Sequence, residues 1–220
     1  MHQSNIRKIS PTTPEPEIIT EAAAVIKRGG VIAFPTRCLY GLGADAFNPD
    51  AVERMIQIKQ RPGHKPILAL IDSRSRLESL VTHIPPAAEA IMEAFWPGRV
   101  TLVFKARKML AVQLTADSGN IGVRLPGHPA ASALVKHVKG PVTGTSANLS
   151  GRAGCHRAQD LDPQVAGQLD LILDAGPLMG GVGSTVVDVT VDPPRIIREG
   201  AVTSLDVLRR VKEGSKLCQK

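Results

Sequence analysis

The chain has 220 residues, with 27 Lys and Arg against 20 Asp and Glu, for a net charge of +7. A hydrophobic fraction of 43% suits a globular protein of one large domain or two small ones, and no apolar run approaches the roughly 20 residues of a membrane span. One Trp, one Tyr and four Phe are too few for the aromatic platforms on which single-stranded RNA binders stack bases, whereas the cation excess suits nucleotides or RNA, or is simply a basic surface.

Residues 1–14 are polar and Pro-rich and read as a flexible arm without the charged-then-apolar order of a signal peptide. The three cysteines, at 38, 155 and 218, form neither a metal pattern nor an even disulfide set, so a cytoplasmic location is expected. Periodicity predicts a helix from Glu17 to Lys27, stopped by Gly29 and Gly30, and then a buried strand from Val31 to Phe34. Asn48 followed by Pro49 reads as an N-cap with proline at the first helical position, opening a helix that runs to about Gln60. Val52, Met55, Ile56 and Lys59 share one side of it at 3–4 spacing. Strands are expected over 67–71, 100–104 and 121–125, and helices over 86–95 and 129–138. Short strands at 171–173, 185–189 and 195–197 precede a closing helix at 204–211, leaving 214–220 as a tail. The alternation implies one α/β domain over residues 15–213.

The chemistry-bearing residues fall at the ends of these elements. Pro35 to Gly43 follows a buried strand, where open α/β sheets place ligands; Thr36 offers a hydroxyl there, although a plain connecting loop explains the segment equally well. Its Gly41-x-Gly43 lacks the third glycine of a dinucleotide fingerprint, and no P-loop pattern occurs. Lys59, Arg61 and Lys65 put three cations within seven residues. That is a phosphate-binding set or a solvated helix end suited to the macrodipole. Arg124 stands in an otherwise apolar strand and needs an anionic partner, from a ligand or from the protein. Ser146 and Asn148 can bond a phosphate or a base edge, or cap a turn. Gly183-Ser184-Thr185 resembles a small anion cradle, and Arg198 is a second strand-end arginine. The six histidines show no metal spacing, and no catalytic triad or carboxylate pair stands out, so no metal site and no certain catalytic residue are assigned.

Taken together these segments resemble the threonylcarbamoyl-AMP synthase family, also called YrdC-like. The matching stretches are Gly29-Gly-Val-Ile-Ala-Phe-Pro-Thr36 with Tyr40-Gly-Leu-Gly-Ala44, Lys59-x-Arg61, Phe95-Trp-Pro-Gly98, Val123-Arg-Leu-Pro126, Thr145 to Gly151, Ser184-Thr-Val-Val-Asp188 and Arg198-Glu-Gly200. The resemblance implies a twisted mixed sheet with flanking helices and a concave, positively charged cavity. It also implies a reaction: L-threonine, bicarbonate and ATP give threonylcarbamoyl-AMP and pyrophosphate, toward the threonylcarbamoyladenosine (t6A) modification of tRNA. Magnesium would arrive with the ATP, and partners would be the downstream t6A transferase machinery and tRNA. Carried over position by position, Lys59, Arg61, Lys65, Ser146, Asn148 and Arg198 would contact ATP. Thr36, Arg124 and Ser184 would lie near the threonine moiety. Three positions depart from the family pattern: Cys38 where many members have Thr, Leu70 where the longer members often have His, and Gly154 where many have Ser. The single-domain form is expected. Other readings are a double-stranded RNA-binding protein of the same fold and a YciO-like paralogue with little synthase activity.

Overall fold

The computed structural model describes residues 5–108 and 110–217, with side chains to residue 214. Residues 1–4 of the expected arm and 218–220 of the expected tail lie outside the described residues. Along the chain the elements are β1 (Ile6–Lys8), α1 (Pro16–Lys27), β2 (Ile32–Pro35), β3 (Tyr40–Gly43), α2 (Pro49–Lys59) and β4 (Leu68–Leu70). Then come α3 (Pro86–Phe95), β5 (Val100–Lys105), α4 (Val112–Thr115), β6 (Asn120–Arg124), α5 (Pro129–Val138) and β7 (Val142–Ser146). The chain ends with α6 (Pro163–Ala166), β8 (Leu171–Asp174), β9 (Thr185–Asp188), β10 (Arg195–Arg198) and α7 (Ser204–Leu217).

Helix boundaries follow local chemistry. Five helices carry proline in the first turn, where the missing N–H costs nothing. The Asn48 side chain accepts from the backbone N–H groups of Asp50 and Ala51, both at 3.1 Å, and Gln60 ends α2 in the left-handed region at φ 50°. Ile19, Ala22, Ala23 and Ile26 give α1 its buried stripe.

All ten strands form one mixed sheet in the order β1-β8-β2-β3-β7-β4-β6-β5-β9-β10. Three expectations change here. Residues 6–8, read as part of a loose arm, make edge strand β1, parallel to β8; Lys8 pairs with Asp174. Residues 214–217, read as tail, continue α7. Tyr40–Gly43, read as a loop, is a central strand pairing antiparallel with both β2 and β7. A Cβ at Gly43 would sit 2.8 Å from the Phe34 ring, so the glycine that reads as a turn residue is required by a close approach inside the sheet.

Helices α1 and α5 pack on one another, as do α3 and α7. The first pair buries Ile19, Ile26, Leu134 and Val135 with Ile32, Phe34 and Leu173. The second buries Ile91, Met92 and Val207 with Leu102, Phe104, Ile121 and Val123. A third cluster puts Val52, Met55 and Ile58 of α2 against Tyr40 and Leu42. Strand alternation then decides the site. Leu102 and Phe104, like Ile121 and Val123, enter the core, so Thr101, Val103, Asn120, Gly122 and Arg124 project from the opposite face into a cavity.

Candidate active site

That cavity is about 560 Å³, within the ordinary range for a small-molecule site. One face of β3, β7, β4, β6, β5, β9 and β10 builds its wall. Small residues keep it open: Gly41, Gly122, Gly144, Thr145 and Ser146 line it. Gly144 has a second reason, since a Cβ there would meet Leu68 Cδ1 at 2.7 Å.

The charge on the wall is one-sided. Arg37, Arg61, Arg124, Arg195 and Arg198 line it together with a single carboxylate, Asp188. Arg195 donates to Asp188 at 3.0 Å and the Thr190 hydroxyl at 2.6 Å, so that carboxylate is already committed. Arg124 is the unbalanced group. Among the described residues its Nε is buried without a partner. Burial, and then the neighbouring Arg198, push its pKa down to about 10, with Cys38 acting the other way. A guanidinium held this way favours an incoming anion. Arg198 is fixed beside it by donating to the Ser184 carbonyl at 2.7 Å. Ser184 is buried, and its hydroxyl lies 2.8 Å from that of Thr101. Thr36 turns its hydroxyl back onto the Leu39 carbonyl at 2.6 Å, closing the tight turn between β2 and β3.

The other expected residues are brought together but not all on the wall. Lys59 is buried, 3% exposed. Its ammonium donates among four oxygens: Ser146 O at 2.6 Å, Ser146 Oγ at 3.3 Å, Asn148 O at 2.9 Å and Asn148 Oδ1 at 3.0 Å. Asn148 in turn donates to the carbonyls of Leu149 and Arg152. Lys59 and Asn148 therefore form a clamp behind the cavity, tying the end of α2 to the loop after β7, and only Ser146 of that set faces the cavity. Burial, and then Arg61, lower the Lys59 pKa to about 8. Arg61 does face the cavity; Lys65 O at 3.0 Å and Pro66 O at 2.7 Å accept from it, and burial lowers its pKa. The Lys65 side chain is exposed and lies off the cavity lining; its carbonyl, not its ammonium, supports Arg61. Arg198 lies at the Arg124 and Ser184 end.

Of the three departures, Cys38 lines the cavity. Leu70 is fully buried in the α1–α5 cluster and lines no part of it. Gly154 packs under Leu39: a Cβ there would stand 2.9 Å from Leu39 Cδ1 and 3.5 Å from Ser146 Cβ. Sequence reasoning missed Asn120 and His128, which also line the cavity. His128 reads as a plain residue before Pro129, yet its Nδ1 accepts from the Ala130 N–H at 3.2 Å and caps α5; the proline at the next position is the signal that could have found it.

Residues 24–200 match the Sua5/YciO/YrdC domain model, described as telomere recombination. The chain belongs to this family. It is 39% identical over 197 residues to the threonylcarbamoyl-AMP synthase of Bacillus subtilis, covering 87% of this chain and 56% of that protein. Among solved structures it resembles Pyrococcus abyssi Sua5 complexed with L-threonine, with a TM-score of 0.90 and 34% identity over 94% of this chain and 61% of that one. It also resembles Escherichia coli YciO, with a TM-score of 0.81 and 29% identity over 90% of this chain and 96% of that one. The chain thus spans little more than half the length of the Bacillus relative. Within the Sua5/YciO/YrdC fold, the arginine-rich sheet face described above is the cavity.

Proposed function

We propose that this chain is an L-threonylcarbamoyladenylate synthase, forming threonylcarbamoyl-AMP and pyrophosphate from L-threonine, bicarbonate and ATP. One observation carries the reading: a single sheet face presents Arg61 at one end and the unpaired Arg124, with Arg198 and Ser184, at the other. The likeness to a Sua5 that binds L-threonine and to a named synthase supports it. Residues 15–213 are taken as the functional unit, with β1 (Ile6–Lys8) joined to it as an edge strand of the same sheet.

In this reading Arg124 takes the threonine carboxylate, with Thr36 and Ser184 beside the amino acid. The threonine amine and bicarbonate condense to an N-carboxylate with loss of water. A carboxylate oxygen of that group attacks the α-phosphorus of ATP, and the bond to the β-phosphate oxygen breaks to release pyrophosphate. Arg61 and Ser146 neutralise and orient the phosphates, and Arg198, held at the Arg124 end by the Ser184 carbonyl, adds fixed positive charge where the carboxylate approaches them. Such a transfer needs positioning and fixed positive charge rather than a protein nucleophile. Lys59 and Asn148 serve by holding Ser146 in place. Magnesium would be held by phosphate and water; Asp188, the carboxylate on the wall, is engaged by Arg195 and Thr190 and does not fit as a metal ligand.

The test is pyrophosphate release from ATP with magnesium, omitting threonine and bicarbonate in turn. Release that requires both is the expected result. Release that ignores threonine overturns the substrate assignment. ATP binding without any release favours the YciO-like paralogue. Salt-sensitive binding of double-stranded RNA without turnover favours the RNA-binding alternative. A cytoplasmic location, and a role beside the t6A transferase machinery and tRNA, follow from the synthase reading.

A further inference from the structure

Five arginines line the cavity, and three of them have acceptors in the protein. Arg61 donates to the carbonyls of Lys65 and Pro66, Arg195 to Asp188, and Arg198 to the Ser184 carbonyl. The side chains of Arg37 and Arg124 make no hydrogen bond or ion pair among the described residues. Both stand at the same end. Arg37 belongs to the turn between β2 and β3, and Cys38, the next residue, is close enough to Arg124 to act on its charge. That turn is held from two sides. The Thr36 N–H donates to the Leu39 carbonyl at 3.2 Å, and the Cys38 carbonyl accepts from the Gly180 N–H at 3.0 Å. Arg37 is thus presented by fixed backbone, half-buried, with its guanidinium unused.

Two free guanidiniums suit two carboxylates, whereas free threonine brings one carboxylate and one ammonium. The ammonium finds no anionic partner on the wall, because the single lining carboxylate, Asp188, is engaged by Arg195 and Thr190. A cation set among arginines without a counter-charge is unfavourable. Condensation with bicarbonate removes that cation. The amine nitrogen bonds to the bicarbonate carbon, a carbon–oxygen bond breaks, the oxygen leaves as water, and one proton goes to solvent. The product, N-carboxythreonine, carries two carboxylates. Resting on the synthase reading above, we propose that the chain holds threonine as this dianion, Arg124 taking the α-carboxylate and Arg37 the carboxylate on nitrogen. Arg37 thereby fixes one oxygen of that group and leaves the other for the α-phosphorus. Bicarbonate and threonine then bind as one ligand, and each raises the affinity for the other.

Titration calorimetry with threonine, without ATP, tests this on the full chain, on Arg37→Met and on Arg37→Lys, in bicarbonate and in chloride of equal ionic strength. In the wild type, bicarbonate should raise threonine affinity by about ten-fold or more. Repeating the titration in buffers of different ionisation heat should show a proton released on binding only when bicarbonate is present. Arg37→Met should lose most of the bicarbonate gain. Arg37→Lys keeps a charge without the planar fork and should recover part of the gain, which a misfolded variant cannot do. A wild-type affinity indifferent to bicarbonate overturns the inference, as does a gain without proton release or a full gain in Arg37→Met. Aspartate that binds in chloride as tightly as threonine does in bicarbonate would give the second carboxylate to a side chain, and overturns it too. Pyrophosphate release separates the two readings. Where release still requires threonine and bicarbonate, the synthase reading stands while this inference falls; where no release occurs, both fall.

Discussion

The Lys59 ammonium sits where three donors meet four oxygens, and burial lowers its pKa to about 8. The unfolded chain holds that proton up to about 10.5. Between these values the unfolded state binds more protons than the folded state, so this group's contribution to stability rises with pH. Its contribution to the site runs the other way, because a neutral amine has one donor fewer and no charge to hold Ser146 and Asn148. We expect kcat/KM for ATP to fall as pH passes through about 8 while the melting temperature does not fall with it. A profile flat to pH 9.5 would show that the clamp works without the charge. Arg124 leads to a similar opposition. Arg124→Met removes an unpaired guanidinium from beside Arg198, so the variant should melt no lower than the wild type. Its KM for threonine should rise roughly 100-fold, on the scale of losing a desolvated charge contact; a threonine KM within two-fold of the wild type would remove Arg124 from the site. Sequence made Arg124 legible because a cation in an apolar strand is conspicuous. The division of labour between Lys59 and Arg61 was not legible, since two cations two residues apart read alike until α2 ends between them and turns one inward and the other toward the cavity.

Elements were most legible where one signal agreed with another. Proline, cap and apolar spacing coincide at α2, which forms where it was expected; α1 and α5 form on proline and apolar spacing. β3 and β7 were hidden because their residues are chosen for closeness rather than for strand preference. Tyr40-Gly-Leu-Gly43 and Val142-Thr-Gly-Thr-Ser146 look like turns, yet they are adjacent central strands whose small side chains leave room for Phe34, for Leu68 and for the cavity. Backbone contact of the same kind fixes the far wall. A Cβ on Gly200 would lie 2.3 Å from the Gly183 carbonyl oxygen and 2.6 Å from the Ser184 carbonyl carbon, and backbone cannot swing aside as a side-chain tip can. Gly200→Ala must therefore push the Gly183–Ser184 segment, which carries the Ser184 carbonyl that anchors Arg198. The expected result is a loss of about 1–3 kcal/mol in denaturant unfolding together with a raised threonine KM. Wild-type stability in Gly200→Ala would mean that the segment yields freely.

At the scale of the whole molecule the fold separates two jobs. Helices pack on both faces of the sheet and carry the stability; over part of one face polar and small residues leave a cavity open. The net charge of +7 is concentrated where it matters, since five guanidiniums face one committed carboxylate across the cavity. This arrangement costs self-repulsion in the empty state and lowers the free energy of a bound polyanion. Added salt acts on both, with a Debye length that shrinks from about 10 Å at 0.1 M to about 3 Å at 1 M. Raising NaCl from 0.05 to 0.5 M should therefore lower ATP affinity by about ten-fold or more while the melting temperature of the ligand-free chain holds or rises, because screening relieves the arginines before it weakens the apolar clusters. Calorimetric titration and a thermal melt at each salt concentration read the two effects separately. An ATP affinity indifferent to salt would mean that the phosphates do not lie along this face, and a melting temperature that falls with salt would mean that surface ion pairs, not the packed faces of the sheet, carry the fold.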